Sequence, residues 1–449
     1  MAEAFAITGG KKLKGAVKVF GAKNAASKMM VASLLTDERV ILDNFPLIGE
    51  MDITAELCRA VGSSVKVSGN TLTIHTPVIT NHEVLTLTRR NRLPILALGP
   101  LLARCGRAEI PIVGGDKIGP RPVNLHFDAL SAMGASIEAG PASYRATAPN
   151  GLRGAKIAFP FPSVGATENV ILAAVLAKGK TVIHNAAVEP EIVDLILMLQ
   201  KMGAIVGLGA NRVVEIEGVE RLRGTRHSVI SDRMEAASFA CLAVATDGDV
   251  FVEGARQEDL LTFLNALRRI GGGYEVREGG IAFRRERPLT GIELETDTHP
   301  GFMTDWQQPF VALLTQAKGV SIVHETIYED RFAYVHDLNA MGANIKVFSK
   351  CLGELPCRFS GCGFDHSAVV SGPTPLLGGK SVARDLRAGI VQVIAALIAK
   401  GDSTVAGIEE IDRGYAAIDE RLRGLGADIR RVPVRDAAAA LPAGKTRVR

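Results

Sequence analysis

The 449-residue sequence has few aromatic residues and no uninterrupted apolar run of about 18 residues. Only 5% of its residues are Phe, Trp or Tyr, and it contains a single tryptophan. The lack of a long apolar run argues against a membrane-spanning helix, and the first fifteen or so residues lack the apolar core of a signal peptide. We therefore expect a cytoplasmic protein that does not act at a membrane.

A strong excess of charge of either sign is also missing. The chain has 52 basic and 48 acidic residues, which gives a net charge of +4. This excess is too small for a general polyanion binder, so we expect no nucleic-acid partner. Local basic clusters can still hold a small anionic substrate.

Cysteine is sparse, and its spacing does not match the common zinc modules. Cys58, Cys105 and Cys241 lie in apolar, helix-like stretches and are expected to be small core residues. The other three cysteines, Cys351, Cys357 and Cys362, lie close together in the segment CLGELPCRFSGCGFDH. Asp365 and His366 follow them at its end. A zinc site is conceivable there, but the tight C-x2-C spacing is absent. We predict a reduced, variable loop and no metal.

The length and the apolar content predict two α/β domains. A chain of 449 residues exceeds the usual size of a single core, and 47% of its residues are hydrophobic. One glycine-ended pattern recurs six times, at successive intervals of 72, 69, 68, 71 and 84 residues. In each copy a helix is expected to end at a left-handed glycine that turns the chain into a strand. These glycines are Gly62, Gly134, Gly203, Gly271, Gly342 and Gly426.

A second kind of helix precedes the strand of each repeat. The segments ILALGPLLARCG, ENVILAAVLAKG, AASFACLAVATDG and GIVQVIAALIAKG are apolar on nearly all sides, which predicts buried helices. Helices buried inside surrounding sheets invert the usual layering of α/β proteins. Six repeats divide naturally into two domains of three.

Eight motifs, spread over nearly the whole chain, resemble those of the enolpyruvyl transferases, in particular the branch that uses UDP-N-acetylglucosamine. They are GAKNAA (21–26), GGDKIGPRPVNLH (114–126), SVGAT (163–167), EPEIVD (189–194), HPGFMTDWQ (299–307), ETIYEDRF (325–332), DLRAG (385–389) and IDRGY (411–415). The resemblance implies two inside-out α/β barrel domains, each of three repeated β/α units, with the active site in the interdomain cleft. The domains would comprise residues 1–22 with 231–435, and residues 23–230, followed by a disordered tail at 436–449.

Several cations stand where an anion would bind. Lys23 and Asn24 begin a predicted helix, whose N-terminus attracts anions, and arginines recur at corresponding places in the repeats. Arginine binds phosphate and carboxylate in bidentate fashion, which suits a small, doubly anionic substrate. By resemblance, phosphoenolpyruvate is bound by Lys23, Asn24, Arg92, Arg121, Arg331, Arg387 and Arg413, and Lys23 and Arg413 also act in catalysis.

Two carboxylates are candidate acid–base groups. Asp305 lies in a predicted loop just before an apolar helix, where it could simply be an N-cap. The resemblance makes it the base that receives the proton of the sugar 3-hydroxyl. Met303 stands where the family usually has Pro, which would loosen this loop. Asp116 stands in the glycine-flanked loop where most members have Cys. We predict that it is a catalytic acid/base whose pKa a closing loop raises, and that fosfomycin, which alkylates that cysteine in the family, does not inactivate the protein.

The nucleotide-sugar site is implied by the same resemblance. RPVNLH offers backbone groups and apolar surface suited to a uracil ring, and SVGAT begins a helix that could receive a diphosphate. The implied contacts are Asn24, Arg92, Arg121, Pro122, Val123, Asn124, Leu125, His126, Ser163, Val164, Gly165, Asp305 and Ile327.

The implied reaction transfers the enolpyruvyl group of phosphoenolpyruvate to UDP-N-acetylglucosamine, without a cofactor, in a protein that we expect to be a monomer. Three alternatives stay open. A synthase acting on shikimate phosphate would show a GSKS-type turn instead of GAKNAA. A divergent enolpyruvyl transferase for another nucleotide sugar is favoured by Met303 and the unusual 348–380 segment. A non-catalytic UDP-sugar-binding protein would have no need for both Asp116 and Asp305.

Overall fold

The computed structural model describes residues 2–89, 91–115, 119, 122–355 and 357–434. The predictions about Asp116, Arg121 and the tail at 436–449 therefore lie outside the described residues. None of the helices within the described ranges has the length and apolar character needed to cross a membrane.

Strands and helices alternate along the chain. The helices are α1 (Lys23–Ala32), α2 (Gly49–Ala60), α3 (Leu98–Cys105), α4 (Asn124–Ala132), α5 (Val164–Ala174), α6 (Pro190–Lys201), α7 (Arg233–Ala245), α8 (Leu261–Ile270), α9 (Thr304–Leu314), α10 (Val335–Ala340), α11 (Leu386–Ile398), α12 (Ile408–Asp412) and α13 (Ile418–Gly424). Short 3-10 helices span Ser33–Leu35, Leu93–Ala97 and Gln257–Asp259.

The strands are β1 (Glu3–Thr8), β2 (Lys14–Lys18), β3 (Arg39–Asp43), β4 (Ser64–Ser68), β5 (Thr71–His75), β6 (Arg107–Pro111), β7 (Ser136–Ala139), β8 (Ser143–Thr147), β9 (Lys156–Ala158), β10 (Lys180–His184), β11 (Ile205–Gly209), β12 (Val213–Glu217), β13 (Thr225–Ser228), β14 (Asp249–Glu253), β15 (Gly272–Arg277), β16 (Gly280–Arg285), β17 (Glu293–Glu295), β18 (Gly319–His324), β19 (Ile345–Phe348), β20 (Ser367–Gly372), β21 (Lys380–Val382), β22 (Asp402–Ala406) and β23 (Asp428–Pro433).

The chain divides into two compact units. Among the described residues, unit 1 contains residues 2–19, 119 and 232–434, and unit 2 contains residues 20–115 and 122–231. The described strands of each unit form three sheets, in the orders β21-β22-β1-β23, β15-β16-β14-β2 and β17-β18-β20-β19 in unit 1, and β11-β12-β10-β9, β13-β3-β5-β4 and β6-β8-β7 in unit 2. The described strands of a unit thus form separate sheets around its helices, and they do not close into one barrel.

The N-terminal strands complete sheets of unit 1. β16 pairs antiparallel with β14 and β15, and β20 pairs in the same way with β18 and β19. In the third sheet this middle place belongs to β1, which pairs antiparallel with β22 and β23. β2 likewise pairs parallel with β14, as β17 does with β18. The first strands of the chain therefore fill places in repeats formed mainly by its second half.

The apolar helices are buried at the centre of their units. Every residue of α7 is buried, and so is every residue of α11 from Leu386 to Leu397. In α5, the residues from Ala166 to Ala174 are buried. Removing the many apolar side chains of these helices from water is the main stabilising contribution of the fold. The prediction of buried helices inside surrounding sheets is confirmed.

The repeat glycines adopt the backbone conformation predicted for them. Gly62, Gly134, Gly203, Gly271, Gly342 and Gly426 have φ values of 108°, 96°, 100°, 108°, 102° and 91°. A side chain is strained in this left-handed region, whereas glycine is not. The glycines thus end the outer helices and turn the chain into the hairpins of the sheets.

Candidate active site

Asp305 lies inside a helix, in its first turn, and not in the loop before it as the sequence suggested. Helix α9 begins at Thr304, and the N-cap residue is Met303, whose backbone is extended (φ −67°, ψ 140°). Met303 also packs against the apolar core of unit 1. Asp305 is therefore not the N-cap, although a carboxylate in the first turn is still stabilised by the helix dipole.

Two buried arginines contact the Asp305 carboxylate. The guanidinium of Arg331 donates to Oδ1, and Nε of Arg387 lies 3.3 Å from Oδ2. The side chains of Arg331 and Arg387 are 4% and 7% exposed, whereas that of Asp305 is 18% exposed. In a poorly hydrated setting, such contacts are stronger than between surface charges. The structure thus brings together three residues that the sequence assigned to one site.

The surroundings of Arg387 hold it in its charged form. Burial opposes the charge, but the neighbouring Asp305, Tyr415 and Asp232 hold the pKa of Arg387 above its ordinary value. Its Nη1 donates to the Tyr415 hydroxyl at 3.3 Å, and that hydroxyl lies 2.9 Å from Oγ of Ser238. Burial raises the pKa of Tyr415, so this phenol stays neutral. A fixed cation at the start of α11 suits the binding of an anion.

A buried glutamate organises the loop that carries Arg331. Glu325 accepts hydrogen bonds from the backbone N–H groups of Ile327 (2.9 Å) and Tyr328 (3.1 Å). It also accepts from the Thr304 hydroxyl at 3.0 Å, and Thr304 Oγ1 in turn accepts from Nε of Arg331 at 3.3 Å. Burial raises the pKa of Glu325, an effect that Arg331 opposes. The start of α9 and the Arg331 loop are therefore held together.

Both main-chain polar groups of Ile327 form hydrogen bonds within unit 1. Its N–H donates to Glu325, and its carbonyl accepts from the guanidinium of Arg358. A carbonyl oxygen has two lone pairs and can accept a second hydrogen bond. The backbone contact between Ile327 and the sugar nucleotide that the resemblance implies stays a prediction.

Arg413 follows the short helix α12 and is 8% exposed. Its Nη1 donates to Oε2 of Glu410 at 2.8 Å, one helical turn earlier. The side chains of the pair are 10% and 17% exposed. Glu410 thus restrains the direction of this guanidinium.

In unit 2, Lys23 and Asn24 are the first two residues of α1, as predicted. The N-cap is Ala22, whose backbone is extended and whose side chain cannot cap the helix. The positive end of the helix dipole and the charge of Lys23 therefore act in the same place. This arrangement favours an anion at the start of α1.

Arg92 contacts the segment assigned to the nucleotide. Its Nη2 donates to the carbonyl of Pro122 at 3.4 Å, directly before α4 begins at Asn124. The neighbouring Asn91 accepts at its backbone carbonyl from Gly114 N–H, 3.0 Å away. Asn91 and Arg92 thus contact the chain on both sides of the glycine-flanked Asp116 loop, at Gly114 and at Pro122.

The start of α5 packs against a neutral histidine. Ser163 is the N-cap, and its Oγ accepts from Ala166 N–H at 3.4 Å. His126 is 4% exposed, and burial, with a smaller effect from Arg92, lowers its pKa to about 3. A Cβ at Gly165 would lie 3.3 Å from its ring, so glycine permits this close packing. The burial of the His126 ring beneath α5 favours a positioning role over a direct side-chain contact with the nucleotide.

A further buried carboxylate links α1 and α5. Oε1 of Glu168 lies 3.7 Å from Nζ of Lys28, and their side chains are 2% and 15% exposed. Burial raises the pKa of Glu168 to about 7; Lys28 opposes this rise, and Glu189 and Glu191 add to it. Below about pH 7, the folded protein therefore holds Glu168 in its protonated form.

This shift predicts a pH-dependent stability. Folding raises the pKa of Glu168 from 4.5 to about 7, so the folded chain holds a proton that the unfolded chain releases in between. The free energy of unfolding should fall as the pH rises through this window, by up to about 3 kcal/mol. We expect Glu168→Gln to remove this part of the pH dependence in urea denaturation at about pH 5 and about pH 8.

The control for this prediction is an exposed carboxylate–lysine pair of the same unit. Glu215 lies 2.9 Å from Lys180, and both side chains are about half exposed. Glu215→Gln should leave the pH profile of the wild type unchanged, because solvent screens the pair. Parallel profiles for wild type and Glu168→Gln would show that Glu168 does not titrate in this range.

An open cavity elsewhere in unit 1 has the wrong charge for an anionic substrate. Its volume is about 410 Å³, and Glu329, Asp330 and Asp365 contribute to its lining together with Gly119 and Phe364. Of the predicted phosphoenolpyruvate ligands that the structure describes, none is among the residues that line it. The arginine-rich surroundings of Asp305 are the better candidate.

Several residues of the site had no signal of their own in the sequence. Thr304, Glu325 and Tyr415 act through Asp305, Arg331 and Arg387, and their roles depend on contacts between distant segments. Thr304 and Tyr415 lie within two residues of the predicted site residues Asp305 and Arg413. Glu325 is the first residue of the ETIYEDRF motif. Glu168 belongs to a helix that reads simply as apolar.

Comparisons with known proteins agree with these observations. The family model described as EPSP synthase (3-phosphoshikimate 1-carboxyvinyltransferase) matches residues 7–422. A UDP-N-acetylglucosamine 1-carboxyvinyltransferase of Protochlamydia amoebophila is 49% identical over 432 residues, which cover 94% of this chain and 93% of that protein. Proteins of the same name from Chlamydia pneumoniae and Zymomonas mobilis are 50% and 44% identical, over 93% and 95% of this chain and 93% and 98% of theirs.

Solved structures show the same fold. The enolpyruvyl transferase NikO from Streptomyces tendae matches with a TM-score of 0.84 at 24% identity, over 96% of this chain and 100% of that chain. An EPSP synthase from Acinetobacter baumannii matches with a TM-score of 0.69 at 21% identity, over 96% and 100% of the two chains. The predicted two-domain α/β fold is confirmed, and the chain belongs to the enolpyruvyl transferase family, in which its relatives at 44–50% identity are UDP-N-acetylglucosamine 1-carboxyvinyltransferases.

Proposed function

We propose that this protein transfers the enolpyruvyl group of phosphoenolpyruvate to the 3-hydroxyl of UDP-N-acetylglucosamine and releases phosphate. This reaction is the first committed step towards the peptidoglycan precursor. The proposal rests on the relatives of that name and, in the structure, on the Asp305 carboxylate held between two buried arginines. We further propose that it acts as a cytoplasmic monomer without a cofactor.

The Asp305 cluster suits a reaction between an alcohol and an anionic enol phosphate. Arg331 and Arg387 would bind the phosphate or carboxylate of phosphoenolpyruvate in place of part of their contact with Asp305. A carboxylate released from two guanidinium groups becomes a stronger base. Asp305 would then take the proton of the 3-hydroxyl as its oxygen attacks C2 of phosphoenolpyruvate.

The remaining predicted residues would complete the two substrate sites. Lys23, Asn24, Arg92 and Arg413 would neutralise the charge on phosphoenolpyruvate and on the tetrahedral adduct that addition forms. The N-terminus of α5, at Ser163, Val164 and Gly165, would receive the diphosphate. The segment from Pro122 to His126 would contact the nucleotide sugar, with His126 using its main chain and not its buried ring, and so would the Ile327 carbonyl.

Asp116 and Arg121 enter this proposal from the sequence alone. Asp116 would give a proton to C3 of phosphoenolpyruvate on addition and take one back on elimination, which needs a carboxyl group with a raised pKa. Arg121 would contact both substrates.

Product formation from defined acceptors tests the proposal. Purified protein is mixed with phosphoenolpyruvate and either UDP-N-acetylglucosamine, another UDP-sugar or shikimate 3-phosphate, and phosphate release and product mass are followed. We expect turnover with UDP-N-acetylglucosamine. Turnover only with another UDP-sugar would indicate a divergent transferase, and nucleotide-sugar binding without phosphate release would indicate a non-catalytic protein.

Arg413 provides a test of the anion site. We expect Arg413→Ala to raise the KM for phosphoenolpyruvate and lower kcat, because a desolvated anion loses a charged hydrogen-bond partner worth about 2–3 kcal/mol. This corresponds to a loss of roughly 30- to 150-fold in kcat/KM. We expect Arg121→Ala likewise to raise the KM for phosphoenolpyruvate and to lower kcat.

The control is Arg423, which also pairs with an acid one helical turn earlier. Its Nη1 lies 2.9 Å from Oδ2 of Asp419. Arg423→Ala should leave both kinetic constants near those of the wild type. Wild-type kinetics at low phosphoenolpyruvate in Arg413→Ala and Arg121→Ala would place the anion site elsewhere.

A further inference from the structure

Two histidines and two cysteines converge at one end of a unit 1 sheet. The ligand atoms of His324, Cys351, Cys357 and His366 all lie within 4.8 Å of one another. Both histidines are fully buried, and both cysteines are partly buried. The sequence grouped Cys351 and Cys357 with Cys362 and His366, but it gave no reason to include His324.

The sheet brings the four residues together. His324 is the last residue of β18, and its partner across the antiparallel ladder is Ser367, which directly follows His366. Cys351 comes shortly after β19 ends at Phe348. Three neighbouring strand ends thus define the site, and the loop of residues 349–366 supplies the two cysteines.

Hydrogen bonds leave one nitrogen of each histidine directed at the cluster. Nδ1 of His324 lies 2.9 Å from the Ser367 hydroxyl, and Nδ1 of His366 lies 2.6 Å from the carbonyl of Phe364. Nε2 of His366 lies 3.3 Å from Sγ of Cys351. Nε2 of His324 is buried and has no hydrogen-bond partner among the described residues. An orphaned imidazole nitrogen is costly unless it serves as a ligand.

The loop is seated closely over His324. A Cβ at Gly353 would lie 2.5 Å from Cδ2 of the His324 ring, so only glycine allows this approach. The carboxylate of Glu295, at the end of β17, accepts from the backbone N–H groups of Glu354 (2.6 Å) and Leu355 (2.9 Å). These contacts fix the cysteine loop against the sheet before any metal is considered.

We propose that His324, Cys351, Cys357 and His366 bind one zinc ion in a closed, structural Cys2His2 site. Two thiolates and two imidazoles are a preferred set for tetrahedral zinc, whose bond lengths place the four donors about 3.3–3.8 Å apart. Donors already within 4.8 Å reach this arrangement by small side-chain rotations. The Ser367 and Phe364 contacts are the outer hydrogen bonds that typically orient such histidines.

The site would connect the loop to the proposed active site. The carbonyl of His366 accepts from the N–H of Glu325 at 2.7 Å. Glu325 directly follows His324 and holds the loop that carries Arg331. A metal at this position would therefore rigidify the connection between the cysteine loop and the Arg331 loop. The proposal does not depend on the identity of the sugar acceptor.

Metal content and cobalt spectroscopy test the site in the full-length protein. Protein purified under reducing conditions without chelator should contain about one zinc per chain by elemental analysis. After removal of the metal, titration with Co²⁺ should give the visible bands of a tetrahedral, thiolate-bound ion, with an end point near one equivalent. Cys351→Ser and His366→Gln should lose most of the bound metal.

Cys362→Ser is the matched control, because Cys362 lies in the same loop and, among the described residues, its Sγ forms hydrogen bonds only with backbone carbonyls. This variant should bind one equivalent like the wild type. The proposal is overturned if the wild type binds no stoichiometric Zn²⁺ or Co²⁺, if Cys362→Ser loses the metal equally, or if mass analysis of fresh protein shows a Cys351–Cys357 disulfide. The titration of the wild type shows whether the metal site exists even where a variant fails to fold.

Discussion

Asp305→Ala is expected to lower kcat by about 10²–10⁴-fold, the usual contribution of a general base. The affinity for UDP-N-acetylglucosamine should stay within a few fold of the wild type, because the main contacts of the nucleotide are assigned to other residues. Steady-state phosphate release and calorimetry measure the two effects. More than about a tenth of the wild-type activity would contradict the assignment of Asp305 as the base.

The arginine contacts add a second expectation for this variant. In the wild type, Asp305 contacts both Arg331 and Arg387, so under the proposed function it would compete with phosphoenolpyruvate for them. Its removal should leave the affinity for phosphoenolpyruvate unchanged or higher, since two guanidinium groups lose their carboxylate partner. A variant that had merely lost its local structure would bind phosphoenolpyruvate more weakly.

Asp419 is a close structural match for the control. It lies in the first turn of α13 and, like Asp305, contacts two arginines, Arg423 at 2.9 Å and Arg431 at 3.0 Å. Asp419→Ala should lower the thermal midpoint, because two arginines lose a buried partner, while kcat stays near that of the wild type. Equal losses of kcat in both variants would indicate a general effect of disrupting buried ion pairs.

The parts of the fold that follow from local physics could be predicted. A glycine in the left-handed region is required wherever an outer helix turns sharply into a strand, so six such glycines reveal the repeats. Helices without a polar face must be buried, as α7 and α11 are. Both conclusions need only the residues of one segment.

Features that depend on pairing between distant segments could not be derived in this way. The pairing that places β1 between β22 and β23 joins segments from opposite ends of the chain. The same holds for His324, which joins the cysteine loop only because β18 pairs with β20. The predicted position of Asp305 was wrong for a different reason. Met303 is the N-cap, so the helix begins two residues earlier than it would with Asp305 as the N-cap.

The second large effect concerns Asp116, whose role rests on the sequence resemblance because it lies outside the described residues. We expect the wild type to resist fosfomycin, and Asp116→Cys to retain activity but undergo time-dependent, covalent inactivation in the presence of UDP-N-acetylglucosamine. A thiolate opens an epoxide readily, whereas a carboxylate is a much weaker nucleophile and still carries protons. Activity and intact mass are followed over time for both proteins. Covalent inactivation of the wild type would overturn this interpretation.

The native cysteines provide the controls for that experiment. Burial raises the pKa of Cys58 to about 12 and raises that of Cys241 well above its ordinary value, so both thiols are inert. Hydrogen bonding to His366 lowers the pKa of Cys351, so peptide mapping must show that the label lies at position 116 and not at Cys351. Asp116→Asn should meanwhile bind both substrates and stall turnover, because an amide cannot exchange the proton. An active Asp116→Cys variant that is never labelled, or normal turnover in Asp116→Asn, would show that the reaction needs no acid at this position.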